Sequence, residues 1–374
     1  MKINFVTDIE GRWEKLADAC EGNPWVALDG DRLVLGDDVT FVFGGDTIDR
    51  GAASRRLLRT LVDAKDHYGD RVVLLAGNRD VNKLRLPREL AGHPRAGAPT
   101  GNRAETLRWT YANTMGASDA FGWRQREIGS DDDDAVVDSF LDDLGPDGAL
   151  WRYLERAQLA WRADETLFVH GAVTEENLGV TPDGQSGLGL DAWVRALNDF
   201  YARGMDAFHA DPRGTGHHEL VQYQAPLPGT RANARSVIYA RPVDPLGNPV
   251  LPGPSVRAQL AAAGIARVVV GHTPAGDTPA LVRTRDFELV VADNSYGRLE
   301  RGSMVRIDGA RTISRGRVFA EGAEHEVRCD VVIGDDSAVG TRGADGRLAK
   351  GTVEDGRTLL FRFLAGFVAE ERLG

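Results

Sequence analysis

The chain has 374 residues, of which 42% are hydrophobic, enough for a large α/β domain with a small extra module. A net charge of -11 argues against binding nucleic acid by general electrostatic attraction, and two distant cysteines, Cys20 and Cys329, argue against a disulfide framework or a thiolate zinc site. The N-terminus starts a strand-like pattern at once, and no apolar run reaches the roughly 20 residues that span a bilayer, so we expect a cytoplasmic protein that does not bind membranes.

Short apolar runs, each followed by polar residues, predict strands that are buried on both faces. They cover residues 2–6, 39–43, 71–76, 166–169, 266–270 and 287–292. Helical patterns lie between the first strands, at residues 12–20 and 52–68, and Gly69 is the expected end of the second helix. The alternation of strands and helices predicts an α/β sheet.

Two long insertions separate the later strands, at about residues 87–162 and 175–255. Predicted helices within them lie near residues 104–115, 135–144, 150–160 and 191–207. The rest of the second insertion is rich in proline and reads mainly as loop. Because the insertions follow strands that carry polar residues, we expect them to form a cap over the site.

After Gly302 the pattern changes to short β-like pieces separated by glycine turns. We therefore predict one domain over residues 1–302 and a β-rich C-terminal extension over residues 303–374.

Polar side chains stand at the carboxyl ends of the predicted strands, where α/β sheets bind ligands. They are Asp8, Glu10, Asp46, Asp49, Asn78, Arg79, Asp80, His170, His272 and Asp293. Singly, strand-end capping and hydrogen bonding explain the two aspartates, the amide and the two imidazoles at Asp8, Asp46, Asn78, His170 and His272. The alternative for Glu10 is a solvated carboxylate that faces Lys15 or Arg12, and the alternative for Arg79 is a structural pair that neutralises charge. As an ordered set, carboxylates, an amide and imidazoles are a metal-ligand inventory. A pair of metal ions about 3.5–4 Å apart would clamp the attacking and leaving oxygens of a phosphoryl transfer.

The motifs "TDIEG", "GGDTIDRG", "GNRD", "FVHGA" and "VVGHTP" resemble, in order and spacing, those of the calcineurin-like metallophosphoesterases. The resemblance implies a four-layer α/β/β/α sandwich, here with helical cap insertions and a C-terminal β-rich segment. The "GHTP" form is more similar to the protein-phosphatase and dinucleoside-tetraphosphatase branches than to the nuclease branches.

The resemblance also implies two metal positions that share the carboxylate of Asp46. The first metal position would consist of Asp8, Glu10 and Asp46. The second metal position would consist of Asp46, Asn78, His170 and His272. Arg50 would bind a phosphate oxygen through its planar guanidinium, and Asn78 would also contact the substrate.

Two residues depart from the family pattern. Glu10 replaces a histidine, which makes the first metal position all oxygen and favours Mn²⁺ or Mg²⁺ there; the mixed second position suits Mn²⁺, Fe or Zn²⁺, so Mn²⁺ is the predicted cofactor. Arg79 replaces the histidine that would protonate the leaving group, and an arginine cannot donate its proton usefully at neutral pH. Arg79 would instead supply fixed positive charge, oriented by Asp49 or Asp80. Arg50, Arg79 and Asp49 form the predicted catalytic set.

Two functions of different classes follow from these residues. The first is a metal-dependent phosphohydrolase that prefers good leaving groups and acts on a small-molecule phosphate, a nucleotide or a phosphoprotein, with no nucleic acid as substrate. The second is a catalytically weak protein that binds a metal or a phosphorylated ligand for regulation, with Arg79 marking the loss of catalysis. The oligomeric state stays open.

Overall fold

Two β-sheets face each other at the centre of the molecule, in a computed structural model that describes residues 1–365 and 368–374. The strands are β1 (Lys2–Val6), β2 (Val26–Asp29), β3 (Arg32–Leu35), β4 (Val39–Phe43), β5 (Val72–Leu75), β6 (Ala157–Gln158), β7 (Ala160–Ala163), β8 (Thr166–Val169), β9 (Arg267–Pro274), β10 (Ala280–Arg283), β11 (Glu288–Asp293), β12 (Met304–Asp308), β13 (Arg311–Ala320), β14 (Ala323–Val332), β15 (Leu348–Val353), β16 (Thr358–Phe363) and β17 (Ala369–Leu373). The helices are α1 (Trp13–Cys20), α2 (Ser54–Tyr68), α3 (Asn78–Val81), α4 (Leu86–Glu89), α5 (Arg103–Thr114), α6 (Ala120–Ile128), α7 (Asp133–Asp142), α8 (Ala149–Arg156), α9 (Leu190–Ala210), α10 (His218–Tyr223) and α11 (Pro254–Ala262), with 3-10 turns at Gly69–Arg71 and Asn82–Arg85.

The larger sheet joins the N-terminal strands to the C-terminal ones. Strands β1, β4, β5 and β6 run parallel to one another. On its other edge β1 pairs antiparallel with β12, and β13 to β17 continue the sheet in order, antiparallel throughout. The β-rich segment after Gly302 is therefore present and shares a sheet with the first strand. The predicted division into domains at residue 302 stays a prediction.

The smaller sheet has the order β10-β11-β9-β8-β7, in which β8, β9 and β11 are parallel. Its inner face packs on the inner face of the larger sheet through apolar side chains such as Phe5 and Val42 on one side and Phe168 and Val269 on the other. The rings of Phe5 and Phe168 lie 5.8 Å apart. Non-alternating apolar runs form these strands because both faces of each strand are buried.

Helices cover the outer faces of both sheets, which confirms the predicted α/β/β/α fold. Leu57 and Leu61 of α2 belong to the same buried cluster as Phe41 and Leu74 of the larger sheet. The helix ends at Gly69, whose φ of 58° lies in the left-handed region. The helices predicted at residues 12–20, 104–115, 135–144, 150–160 and 191–207 correspond to α1, α5, α7, α8 and α9.

The sequence prediction missed two helices in and after the second insertion. A loop was predicted where α10 forms, because its apolar stretch is too short to show a helical period. The helix is stabilised by packing: Leu220 and Val221 are buried, and α10 packs against α9. The proline-rich stretch is followed by α11, which starts on Pro254 at a first-turn position.

Candidate metal centre

The carboxyl ends of the parallel strands from both sheets meet at one edge of the sandwich. Asp8 follows β1, Asp46 follows β4, Asn78 follows β5 and His170 follows β8, while His272 lies within β9. Backbone hydrogen bonds join the loops after β1 and β4: the Asp8 amide donates to Gly45 over 3.0 Å and the Glu10 amide donates to Asp46 over 3.0 Å. The two loops are therefore held together as one unit.

The backbone at this edge is strained. Asp8, Glu10, Asp46, Asp49 and His272 all adopt a positive φ, between 53° and 97°. Residues with a Cβ seldom adopt this conformation, and such outliers cluster at functional sites. The strained positions coincide with residues that the sequence predicts for the site, so the fold stores strain where it places these side chains.

Three side chains of the second metal position converge closely. Within the described residues, Asp46, His170 and His272 form the group of histidine, cysteine and acidic side chains whose ligand atoms all lie within 4.8 Å of one another. All three are buried, and the Asn78 Oδ1 atom lies 3.3 Å from His170 Nε2. One carboxylate, one amide oxygen and two imidazoles suit a divalent cation of intermediate softness.

The two histidines are oriented by backbone carbonyls. His170 Nδ1 lies 2.7 Å from the Gly44 carbonyl, and His272 Nε2 lies 3.1 Å from the Tyr239 carbonyl. If each of these nitrogens donates to its carbonyl, the other ring nitrogen carries the lone pair that a metal needs. The residues of the second metal position therefore fit a cation in both chemistry and arrangement.

The two histidines of the position differ in how readily they take up a proton. Burial lowers the pKa of His170, but Asp46 and Asp8 outweigh burial and raise it to about 10. The pKa of His272 is held well below its usual range by burial and by the charges of Arg241 and His170. A cation that binds here would displace the proton from His170 and take over its role as the partner of Asp46.

The side chains of the first metal position are engaged elsewhere. Glu10 Oε1 lies 2.5 Å from Arg79 Nε, and Glu10 Oε2 lies 3.5 Å from Arg50 Nη1. Asp8 accepts a hydrogen bond of 2.6 Å from the Thr7 hydroxyl and two longer ones from the His272 amide. The contacts made by Glu10 are those of an ion pair with arginine, so this position does not fit a second cation as the side chains stand.

The chain is similar to known proteins over most of its length. A protein-family model described as calcineurin-like phosphoesterase matches residues 1–276. The chain belongs to the calcineurin-like phosphoesterase family. No curated protein matches the sequence. The family implies divalent metal ions and the hydrolysis of phosphoesters, so the chain is a metal-dependent phosphoesterase.

Solved structures of similar fold include phosphatases. The cold-active protein-tyrosine phosphatase of the psychrophile Shewanella sp. aligns with 14% identity and a TM-score of 0.51 over 87% of this chain and 80% of its own. A mutant of a cold-active protein tyrosine phosphatase aligns with 15% identity and a TM-score of 0.52 over the same shares. A protein serine/threonine phosphatase from Saccharomyces cerevisiae aligns with 14% identity and a TM-score of 0.42 over 83% of this chain and 73% of its own. The first two likenesses show the fold.

The phosphoesterase places Arg79 inside the cluster of carboxylates. Its side chain is buried, Nε lies 3.6 Å from Asp46 Oδ2, and its backbone amide donates to Asp46 Oδ1 over 2.9 Å. Nη1 donates to the Met115 carbonyl and Nη2 to the Tyr296 hydroxyl. Burial lowers the pKa of Arg79, but Glu10 and Asp46 outweigh burial and raise it, so the guanidinium keeps its charge.

The two candidates to orient Arg79 have different positions. Asp49 Oδ2 lies 3.8 Å from Arg79 Nη1 and accepts a hydrogen bond of 2.6 Å from Lys83. The Lys83 ammonium also donates to the Arg79 carbonyl over 2.9 Å. Asp80 points away and accepts hydrogen bonds from the backbone that follows β4. Of the two carboxylates, Asp49 is the one that reaches the guanidinium.

Both insertions of the phosphoesterase reach the metal centre. The first supplies the Met115 carbonyl, and the second supplies the Tyr239 carbonyl. A cleft of about 690 Å³ opens beside the centre and is lined by Arg50, by Trp13 of α1 and by Trp123 of the first insertion. The position of the insertions agrees with the predicted cap.

Sequence reasoning missed two residues near the centre, Tyr239 and Tyr296, and was wrong in favouring surface charge for a third, Lys83, which is buried. Lys83 pairs with Asp49, the Tyr239 carbonyl orients His272, and the ring of Tyr296 lies 3.9 Å beneath the Arg50 guanidinium. Tyr296 comes three positions after Asp293, at the end of β11. Because the sequence predicts site residues at the ends of strands, this position could have indicated that Tyr296 lies near the site.

No described helix is long and apolar enough to cross a membrane.

Proposed function

We propose that the chain hydrolyses phosphoesters with good leaving groups, or phosphoanhydrides, with a divalent cation at the second metal position. The observation that carries the proposal is the convergence of Asp46, His170 and His272 within 4.8 Å. Asn78 Oδ1 would be the fourth ligand, since it lies beside His170 Nε2. A bound ion would neutralise phosphate oxygens and lower the pKa of water.

Arg50 would hold the phosphate. Its side chain is partly exposed at the edge of the cleft, with one face of the guanidinium against Tyr296. Among the described residues, its Nη1 atom is buried and makes no hydrogen bond. Nη1 lies 3.5 Å from Glu10 Oε2, so the phosphate would be held by the other N–H donors of this planar group, which the aromatic ring fixes in place.

Mn²⁺ is the proposed ion, because mixed nitrogen and oxygen ligands suit it and the family fold implies divalent metals. The number of bound ions stays a prediction. So do the cytoplasmic location and the choice among a small-molecule phosphate, a nucleotide and a phosphoprotein as substrate.

A turnover experiment tests the proposal. The protein is incubated with Mn²⁺ and a chromogenic aryl phosphate, and Asp46→Asn is compared with Asp63→Asn, a matched change at an exposed position of α2. We expect Asp46→Asn to lower kcat/KM by about 100-fold or more, since the shared ligand carboxylate is removed, and Asp63→Asn to leave it unchanged. Absence of turnover in the parent, together with tight phosphate binding, would favour the regulatory binding protein.

The preference for good leaving groups has its own test. Arg79 is fully charged and buried against Glu10, so it supplies no proton to a leaving alkoxide. We expect kcat for a series of aryl and alkyl phosphates to fall steeply as the pKa of the leaving alcohol rises. We also expect Arg79→His to raise turnover of the alkyl esters. A flat series, or lower alkyl-ester turnover in Arg79→His, would contradict the preference.

A further inference from the structure

The guanidinium of Arg79 balances the negative charges of Asp46 and the carboxylates beside it. Arg79 Nε lies 2.5 Å from Glu10 Oε1 and 3.6 Å from Asp46 Oδ2, and Nη1 lies 3.8 Å from Asp49 Oδ2. A single guanidinium thus faces three buried carboxylates. Two of them, Glu10 and Asp46, are the residues that the family pattern would give to the first metal ion.

A second divalent ion would have to displace this guanidinium. Such an ion needs carboxylate oxygens at about 2.0–2.6 Å, and Glu10 Oε1 is already held at 2.5 Å by Arg79. Arg79 is fixed by the Met115 carbonyl, by the Tyr296 hydroxyl and by its own place in α3. A buried guanidinium in contact with the same oxygens also repels a dication, because charges are weakly screened in the low-dielectric interior of a protein.

Asp8 is not placed to bind a second ion in place of Glu10, which is paired with Arg79. Its carboxylate accepts hydrogen bonds from the Thr7 hydroxyl and the His272 amide. Among residues 1–365 and 368–374, the set of three potential ligand side chains within 4.8 Å belongs to the second metal position, and neither Asp8 nor Glu10 is part of it.

We propose that the centre binds one divalent ion, at the second metal position, and that the guanidinium of Arg79 takes the place of a second ion beside Asp46. The inference rests on the proposed function for the nature of the bound ion. It explains both departures from the family pattern by one contact, the ion pair between Glu10 and Arg79. With the family's histidines at both positions this ion pair would be absent, and the first metal position would be open to a metal. The centre keeps positive charge next to the shared carboxylate, with one charge where a second ion would bring two.

Metal stoichiometry tests the proposal without reference to activity. Protein stripped with a chelator is dialysed against Mn²⁺, and bound metal is measured by mass spectrometry and by calorimetric titration. We expect one Mn²⁺ per chain in the parent, with no exchange-coupled signal in the electron paramagnetic resonance spectrum. Two ions per chain with an exchange-coupled signal, or no bound ion, would overturn the proposal.

Variants test the role of Arg79. The double change Glu10→His with Arg79→His should bind a second Mn²⁺, and Arg85→His, which changes another buried arginine paired with Glu89 instead of the site carboxylates, should still bind one. One ion in the double variant would overturn the assignment to Arg79. If the double variant does not fold, the stoichiometry of the parent still decides the number of ions.

A second pair of variants locates the ion. Asn78→Ala should weaken Mn²⁺ binding by at least about tenfold, whereas Glu10→Gln should keep the ion. Loss of the ion in Glu10→Gln would place it at the first metal position and overturn the proposal. One bound ion without hydrolysis would overturn the proposed function alone, and two bound ions with hydrolysis would overturn this inference alone.

Discussion

Asp80 fixes the turn that presents Asp46. Its carboxylate accepts hydrogen bonds from the backbone amides of Asp46, Thr47 and Gly77, at 2.8 to 3.0 Å, and one of 2.6 Å from the Thr47 hydroxyl. The side chain is fully buried. Because Asp46 has a positive φ, this turn is strained, and the four donors hold it in place. A Cβ at Gly77 would lie 2.2 Å from the Asp46 amide nitrogen, so only glycine allows the approach.

The change Asp80→Asn tests this role at the scale of one residue. An amide offers one acceptor oxygen and turns an NH₂ group towards the remaining donors. Hydrogen bonds to a buried charge contribute about 1.5–3 kcal/mol each, so we expect a loss of about 3 kcal/mol in the free energy of unfolding. Urea denaturation measures the loss, with the exposed change Asp63→Asn as control. Equal stability of Asp80→Asn and the control would show that the four hydrogen bonds do not hold the turn.

Lys350 of β15 connects the C-terminal strands to the loop after β9. Its ammonium is buried and donates to the carbonyls of Ala275 and Thr278 over 2.5 and 2.6 Å. Burial lowers the pKa of Lys350 to about 8, against the opposing effect of Glu371. The loop that it supports begins directly after the GHTP motif, so this contact joins two distant elements.

Titration of Lys350 predicts a pH dependence of stability. Between about pH 8 and its unfolded pKa of about 10.4, the folded chain has lost the proton and the unfolded chain has kept it. The unfolded state then binds more protons, so this group makes the protein more stable as pH rises through that window.

The measurement is the free energy of unfolding of the parent relative to Lys350→Met, at pH 8 and pH 10. We expect the parent to gain about 2 kcal/mol over the variant between these values. Lys2→Met, which removes an exposed lysine of β1, is the control. If the difference in the free energy of unfolding between the parent and Lys350→Met were the same at both pH values, it would contradict the lowered pKa of Lys350.

The larger sheet makes the C-terminal segment part of the core around β1. Val305 and Ile307 of β12 lie opposite Phe5 and Ile3 of β1, and all four are buried. A chain that ended at residue 302 would leave β1 as an exposed edge strand, which invites association with other chains. It would also lose the burial of these β12 side chains, at about 1.5–3 kcal/mol each.

Truncation tests the organisation of the whole molecule. We expect residues 1–302 alone to unfold at a temperature lower by more than about 10 °C, or to aggregate, because the lost burial is a large part of a typical total stability of about 5–15 kcal/mol. Thermal scanning and size-exclusion chromatography measure both. A chain ending at residue 336 keeps β12 to β14 and should lose less stability. Equal stability of residues 1–302 and the full chain would mean that the segment after 302 is an independent unit.

Much of the fold could be predicted from local pattern. Strands β1, β4, β5, β8, β9 and β11 were predicted because runs buried on both faces are apolar without alternation. Helix α10 could not be predicted, since it is only six residues long and its apolar residues are buried by packing against α9. Tyr239 was missed because a backbone carbonyl carries no sequence signal.

The sequence by itself determined six buried strands, the polar residues at their ends and the family motifs, because these depend on local chemistry. The family motifs placed several of those side chains in one expected metal position, but only the tertiary structure decided how close their ligand atoms come. Asp46, His170 and His272 are far apart in the chain and converge because parallel strands of two sheets end at one edge. The pairing of Glu10 with Arg79 is likewise a matter of position in space, since a sequence shows two opposite charges but not the 2.5 Å between them.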